Sequence, residues 1–396
     1  MPAPTNGSAG EHTPLLANSH QNHDTDEPRW KVYAKYIGNT TWGTLTSNYV
    51  NVLLIVVPFG IIAGALGWNP SVVFVLNFIS IIPLAALLSF ATEELSAKLG
   101  QTLGGLMNAT FGNAVELIVS IVALNQGEIR IVQSSMLGSI LSNILLVLGC
   151  CFLAGGIRRT ERTFNSTVAS TMSSLMAVAS ASLIIPATLY AVLPDGKGKD
   201  SKTDEDPNIL LLSHGTAIIL LALYILFLYF QLFSHHEIFN DSEMQGEESE
   251  EENGKVLSPI AAGVALVLVT VLVAVCAEYL VDSIDSIVES AHISKTFIGL
   301  VLIPIVGNAA EHVTAVIVAY KGKMDLAISV AIGSSLQIAL FVTPFLVILG
   351  WIIHQPMTLH FQGFETVVFF LSVLVVNYLI QDGKSNYLEG AMCLGT

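Results

Sequence analysis

The stretches FGNAVELIVS, residues 111–120, and VGNAAEHVTA, residues 306–315, are nearly one phrase, and each carries a carboxylate, Glu116 or Glu311, inside an otherwise apolar run. Laid over each other, Gly112, Asn113, Ala114 and Glu116 fall on Gly307, Asn308, Ala309 and Glu311, each 195 residues later. The agreement extends outward. Gly138 and Ser139 in GSILSN fall on Gly333 and Ser334 in GSSLQI at the same offset of 195, and Thr102, Gly105 and Leu106 fall on Thr296, Gly299 and Leu300 at 194. The chain holds two copies of one unit.

Composition says where that unit lives. With 53% hydrophobic and only 12% charged residues, and a mean hydropathy of +0.66, the chain is far from a soluble globular mix. A spanning helix needs about 20 mainly apolar residues. Such runs lie near 49–68, 72–92, 103–124, 131–155, 168–193, 208–233, 257–281, 296–319, 326–351 and 364–381. The alternating strands of a barrel are absent, so the expected fold is all-α, a polytopic membrane bundle. The first copy runs from the second helix to the sixth, and an odd number of spans means that the second copy enters the membrane inverted. Inverted repeats are the architecture of secondary transporters, with the ion site near the bilayer midplane.

Residues 1–40 are polar and read as a disordered tail, without a signal peptide. Within it Glu11, Leu15 and Leu16 fit the acidic dileucine pattern that adaptor complexes read as a sorting signal to endosomal, lysosomal or vacuolar membranes. Lys and Arg favour a cytosolic N-terminus: Arg29, Lys31, Lys35, Lys98, Arg158, Arg159, Arg162, Lys255, Lys321, Lys323 and Lys384 then lie inside, against Arg130, Lys197, Lys199, Lys202 and Lys295 outside. The net charge of −15 sits largely in loops and tail and points to no nucleic-acid partner. Cys150, Cys151, Cys276 and Cys393 show neither a disulfide framework nor zinc spacing.

Ionisable groups deep in a membrane helix are rare and costly, which makes function the default for one and more so for two at equivalent repeat positions. Asn113 and Asn308 precede their glutamates by three residues and share their helix faces. The Gly-Asn pairs, with Pro304 in the second copy, are expected to loosen both helices so that backbone carbonyls turn toward a cation. Carboxylate, amide, hydroxyl and carbonyl oxygens form a hard set suited to Ca²⁺, Mg²⁺ or Mn²⁺. Ser135, Ser139 and Ser142 share one face of the fourth helix, and Ser334 and Gln337 one face of the ninth; serines so spaced also serve as interhelical glue. Two carboxylates shut away from water disfavour the empty, doubly ionised state, so the site takes either a divalent cation or protons, and exchange of Ca²⁺ for H⁺ follows. His312, beside Glu311, is a candidate proton relay or a packing residue.

The phrases GNAVELIVS, GNAAEHVTA, ATEELSAKLG and IGSSLQ closely resemble the cation/proton exchanger family of the calcium/cation antiporters, from about residue 30 to about residue 392. The resemblance implies one extra N-terminal helix (41–68), two inverted repeats of five transmembrane helices (70–233 and 256–392), and a vacuolar membrane location. It implies Glu116 and Glu311 as carboxylates that bind cation and proton in turn, with backbone oxygens lent by the Gly112 and Gly307 segments. No cofactor and no enzymatic step is implied, and Mn²⁺ is admitted beside Ca²⁺ as cargo. Glu93, Glu94 and Glu278 resemble the family's pathway acids, or serve as interfacial caps. The loop 234–255, carrying Glu237, Asp241, Glu243, Glu247, Glu248, Glu250, Glu251 and Glu252, resembles an acidic cytosolic helix; by composition alone it is a solvated charge run. The family ends on an eleventh helix, of which NYLEGAMCLGT resembles the start, lost after about Met392 to leave 393–396 as an aberrant end; a chain with that helix restored is expected to fold better. A passive cation channel and an Na⁺-driven exchanger are the alternatives, while GxSxG and HExxH motifs of an intramembrane hydrolase are absent.

Overall fold

The computed structural model describes residue 43 and residues 49–157, 159–192, 207–239 and 257–396. The dileucine phrase, Arg158 and the acidic run from Asp241 to Glu252 lie outside the described residues; Glu237 is described and exposed. The helices in chain order are α1 (Tyr49–Ala65), α2 (Pro70–Leu99), α3 (Gln101–Phe111), α4 (Ala114–Asn125), α5 (Ile129–Gly156), α6 (Ser166–Val192), α7 (Pro207–Ser234), α8 (Pro259–Asp282), α9 (Ile284–Ala291), α10 (Lys295–Lys321), α11 (Met324–Ile352), α12 (Gly363–Leu379) and α13 (Tyr387–Gly395).

Seven of these are long and apolar enough to cross a bilayer, the pair α3–α4 crosses together with a bend of 44°, and α1 and α12 are shorter apolar helices. All ten expected runs are helical, and the short α9 is an addition.

Local chemistry sets the ends. Asn69 caps α2 by accepting from the Ser71 amide, Pro70 occupies the first turn where its missing N–H costs nothing, and Gly100 ends the helix at φ 80°. Ser258 caps α8 and Ser294 caps α10 in the same way. Asn386 and Glu389 form a reciprocal capping box at the start of α13.

Packing follows the repeat. α2 lies against α8, α4 against α8, and α10 against α2; α6 lies against α12. The second half of α5 carries α13, just as the second half of α11 carries α7, so α13 takes the fifth position of the second repeat. That contact is backbone-close: a Cβ on Gly390 would stand 2.6 Å from the Leu153 nitrogen and 2.7 Å from the Gly149 carbonyl oxygen. Residues 393–395 belong to α13, and Cys393 is buried. Both α5 and α11 carry a π turn at equivalent places, Ser142–Val147 and Ile338–Val342.

The ends of the repeats are cross-tied at opposite faces. Arg130, opening α5, pairs with the buried Glu365 in the first turn of α12. Its repeat equivalent, Asp325, opens α11 and accepts from the Asn165 amide ahead of α6 at 2.6 Å. The Arg130 face also carries Lys295, paired with Glu128 at 2.8 Å and Asp285 at 2.7 Å. A two-residue ribbon, β1 (Arg162–Thr163) with β2 (Lys384–Ser385), closes the Asp325 face.

Candidate ion-binding site

Glu116 stands in the first turn of α4, just past the break at Gly112 and Asn113, where the local positive charge of the helix start favours an anion. It is 2% exposed, and its Oε1 lies 3.2 Å from the point that a Cβ on Gly307 would occupy, so the bare glycine lets the carboxylate sit close against the second repeat. The Asn308 side chain faces it. Neither Glu116 Oε1 nor Asn308 Nδ2 has a hydrogen-bond partner among the described residues. Burial without partners costs free energy for each group, and a cation among the oxygens offsets that cost for the carboxylate. The cavity beside Glu116 is otherwise walled by apolar groups, among them Phe78, Ile81, Val119, Leu280 and Ile303.

Glu311 sits near the centre of α10 and is half-buried. It lies within electrostatic reach of Glu116 and of the exposed Glu93 on α2. Ser334 Oγ donates to Asn113 Oδ1 at 2.8 Å and stands 3.5 Å from Glu311 Oε2, while Asn113 Nδ2 donates to Gln337 Oε1 at 2.7 Å. This relay ties the first-repeat asparagine to the second-repeat glutamate. Asn113 and Gln337 therefore occupy each other, and the open oxygen set is Glu116, Glu311, Asn308 and the hydroxyls around them. Ser135, Ser139 and Ser142 on α5 are enclosed, each with a hydroxyl lacking a partner among the described residues.

The structure brings together Gly112, Asn113, Glu116, Gly307, Asn308, Glu311, Ser334 and Gln337, with Glu93 at the rim. It does not bring in Glu278, which is exposed on α8. Glu94 is occupied structurally, since its Oε2 binds Lys98 at 3.3 Å and accepts from the Leu257 amide at 3.1 Å.

One expectation is corrected. The first copy is loosened at Gly112–Asn113, but the second is not: α10 runs as regular helix through Gly307 and Asn308, and its irregularity is a π turn upstream at Ile298–Leu302. Pro304 is the cause. It has no N–H to give the Leu300 carbonyl four residues earlier, and the wider turn absorbs the loss. Carbonyls 307–311 are thus within an unbroken helix in this conformation.

Asn143 is the residue the sequence hid. It stands in the GSILSN phrase, 2% exposed, and His312 Nε2 lies 3.1 Å from its Oδ1, donating as the Nε2–H tautomer.

The family model for sodium/calcium exchanger proteins matches residues 69–233 and 261–396. The chain belongs to that family. Among relatives of this exchanger-family chain, the vacuolar calcium ion transporter of Schizosaccharomyces pombe is 53% identical over 384 residues, covering 97% of this chain and 90% of that protein. A Ca²⁺/H⁺ antiporter of Aphanothece halophytica is 42% identical, covering 87% and 92%. The solved structure of native YfkE superposes with a TM-score of 0.73 at 36% identity, covering 88% of this chain and 96% of that one.

Proposed function

We propose that this chain is an antiporter of the vacuolar membrane that moves cytosolic Ca²⁺ inward to the lumen in exchange for lumenal H⁺, without covalent chemistry. The observation that carries the reading is the meeting of two carboxylates from inverted repeats, with Glu116 Oε1 buried and unpartnered beside Asn308. The names of the relatives supply the cation and the counter-ion. Two carboxylates match the charge of one dication, and protons replace it when it leaves. Each unit of pH difference across the membrane supplies about 1.4 kcal/mol per proton, so an acidic lumen drives uphill uptake.

The Lys and Arg distribution puts the N-terminus, Glu93 and Asp325 on the cytosolic side and Arg130 on the lumenal side. Glu311 is less deeply buried than Glu116 and has the exposed Glu93 within electrostatic reach, which supports access from the cytosol in this conformation. His312, held by Asn143, positions the α10 helix at Glu311 and offers a route for the proton. Mn²⁺ fits the same hard-oxygen set as a second cargo. The dileucine phrase at Glu11, Leu15 and Leu16 is the proposed address that adaptor complexes read.

The test is ⁴⁵Ca²⁺ uptake into sealed vesicles with an acid interior, with and without a protonophore. Uptake that collapses with the pH gradient is expected; uptake indifferent to it means a channel, and dependence on an Na⁺ gradient instead means an Na⁺-driven exchanger.

A further inference from the structure

At the lumenal face α5 and α10 touch backbone to backbone. A Cβ on Gly138 would collide with the Leu300 carbonyl, and one on Gly299 with Ser134 Oγ and, at 3.0 Å, the Ile131 carbonyl oxygen. Leu300 lies in the π turn that precedes Pro304, so its carbonyl has no Pro304 N–H to accept from.

Four residues of this contact have a repeat partner of the same type, and the fifth, Ile131, has Leu326. Gly138 maps to Gly333, Ser134 to Ser329, Gly299 to Gly105 and Leu300 to Leu106. At the cytosolic face these partners stand apart. Gly333 has room for a Cβ, its nearest neighbour being Met172 Cε at 3.4 Å; a Cβ on Gly105 would meet only the flexible end of Leu232; and Leu106 is 45% exposed. Among the described residues α3 makes no extended contact with the first half of α11, whereas its counterpart in α10 packs closely on α5.

We propose that Gly105, Leu106, Ser329 and Gly333 are the residues that close the cytosolic side of the transport cycle, by forming between α3 and α11 the contact that Gly299, Leu300, Ser134 and Gly138 form now between α10 and α5. The 44° bend at Gly112–Asn113 is the joint about which α3 would swing onto α11, giving up its present ties: the Ala109 carbonyl held by Tyr224 at 2.9 Å and Gly104 seated on the Ser96 carbonyl. A glycine with open space in one state and none in the other is a position where one methyl group discriminates between the two. The inference rests on the exchange reading above.

The experiment compares the wild-type chain with Gly333→Ala in vesicles, each also carrying Leu106→Cys for labelling by an impermeant thiol reagent from the cytosolic side, read by peptide mass spectrometry. Gly333→Ala is expected to keep its melting temperature and its cytosolic Ca²⁺ affinity, to lose exchange at least about tenfold, and to stay fully labelled at residue 106 when the lumen is acidified. Wild-type labelling is expected to fall under the same acidification. Exchange within twofold of wild type in Gly333→Ala, or equal labelling of the two chains, overturns the proposal. If wild type labels as expected but moves no Ca²⁺ against protons, the exchange reading fails and the closure stands. Should Gly333→Ala not fold, Gly105→Ala takes its place, since its clash here is only with a mobile leucine tip.

Discussion

Two copies of one phrase adopt two backbones in this molecule. Around Gly112–Asn113 the helix breaks and turns by 44°, while around Gly307–Asn308 it runs straight. The glutamates differ accordingly: Glu116 is buried against apolar walls, and Glu311 is less deeply buried, with the exposed Glu93 within electrostatic reach. Glycine and asparagine permit a break without imposing one, and what selects between the two outcomes is the packing of the preceding turns. Gly299 seats on α5, whereas its counterpart Gly105 has no such seat on α11 and meets only a leucine tip.

The severest challenge to this pairing of halves is to remove either charge. Glu116→Gln and Glu311→Gln are each expected to lower exchange by at least about a hundredfold, about 2.7 kcal/mol, with helix content unchanged by circular dichroism; substantial residual transport in either would mean that the two halves do not share one site. Next comes the contrast between the cross-ties. Arg130→Ala strands the buried Glu365 and is expected to cost about 3 kcal/mol of stability in a thermal melt in detergent, while Asp325→Asn, which keeps a hydrogen bond to the Asn165 amide, costs about 1 kcal/mol. Equal losses would show that the tethers are equivalent after all. Replacing both partners, Arg130→Met with Glu365→Leu, should recover most of the loss.

Ser334→Ala cuts the relay from Asn113 to Glu311 and is expected to raise the KM for Ca²⁺ by about fivefold, the worth of one buried hydrogen bond, with a smaller change in the maximal rate. An unchanged KM would leave the serine as helix glue. The mildest change belongs to Glu278→Gln: exposed on α8 and outside the site, it should move transport by less than about twofold, the usual range for an exposed side chain with no buried partner.

Much of this was legible in the sequence. Hydropathy gave the helical bundle, and the repeated glutamate phrases gave the inversion and the central pair, because a charge deep in an apolar run has few structural excuses. Asn143 was missed although its phrase was singled out: an amide amid small residues gives no sign of the partner on another helix that it will meet. The different courses at Gly112 and Gly307 were beyond reach for the same reason, since two near-identical phrases cannot announce different tertiary surroundings. Glu94 and Glu278 stood with the pathway acids because charge type carries no direction; only geometry separates the helix cap from the rim.

The packing of α2 on α8, of α5 on α11 and of α6 on α12 shares one property. Exchanging the roles of the two repeats turns α10-on-α5 into α3-on-α11, but it turns α2-on-α8, α5-on-α11 and α6-on-α12 each into itself. These interfaces are the fixed points of the operation. In passing from one orientation to the other the same pairs of helices meet at these seams, each repeat taking the other's part, so no helix changes its partner there.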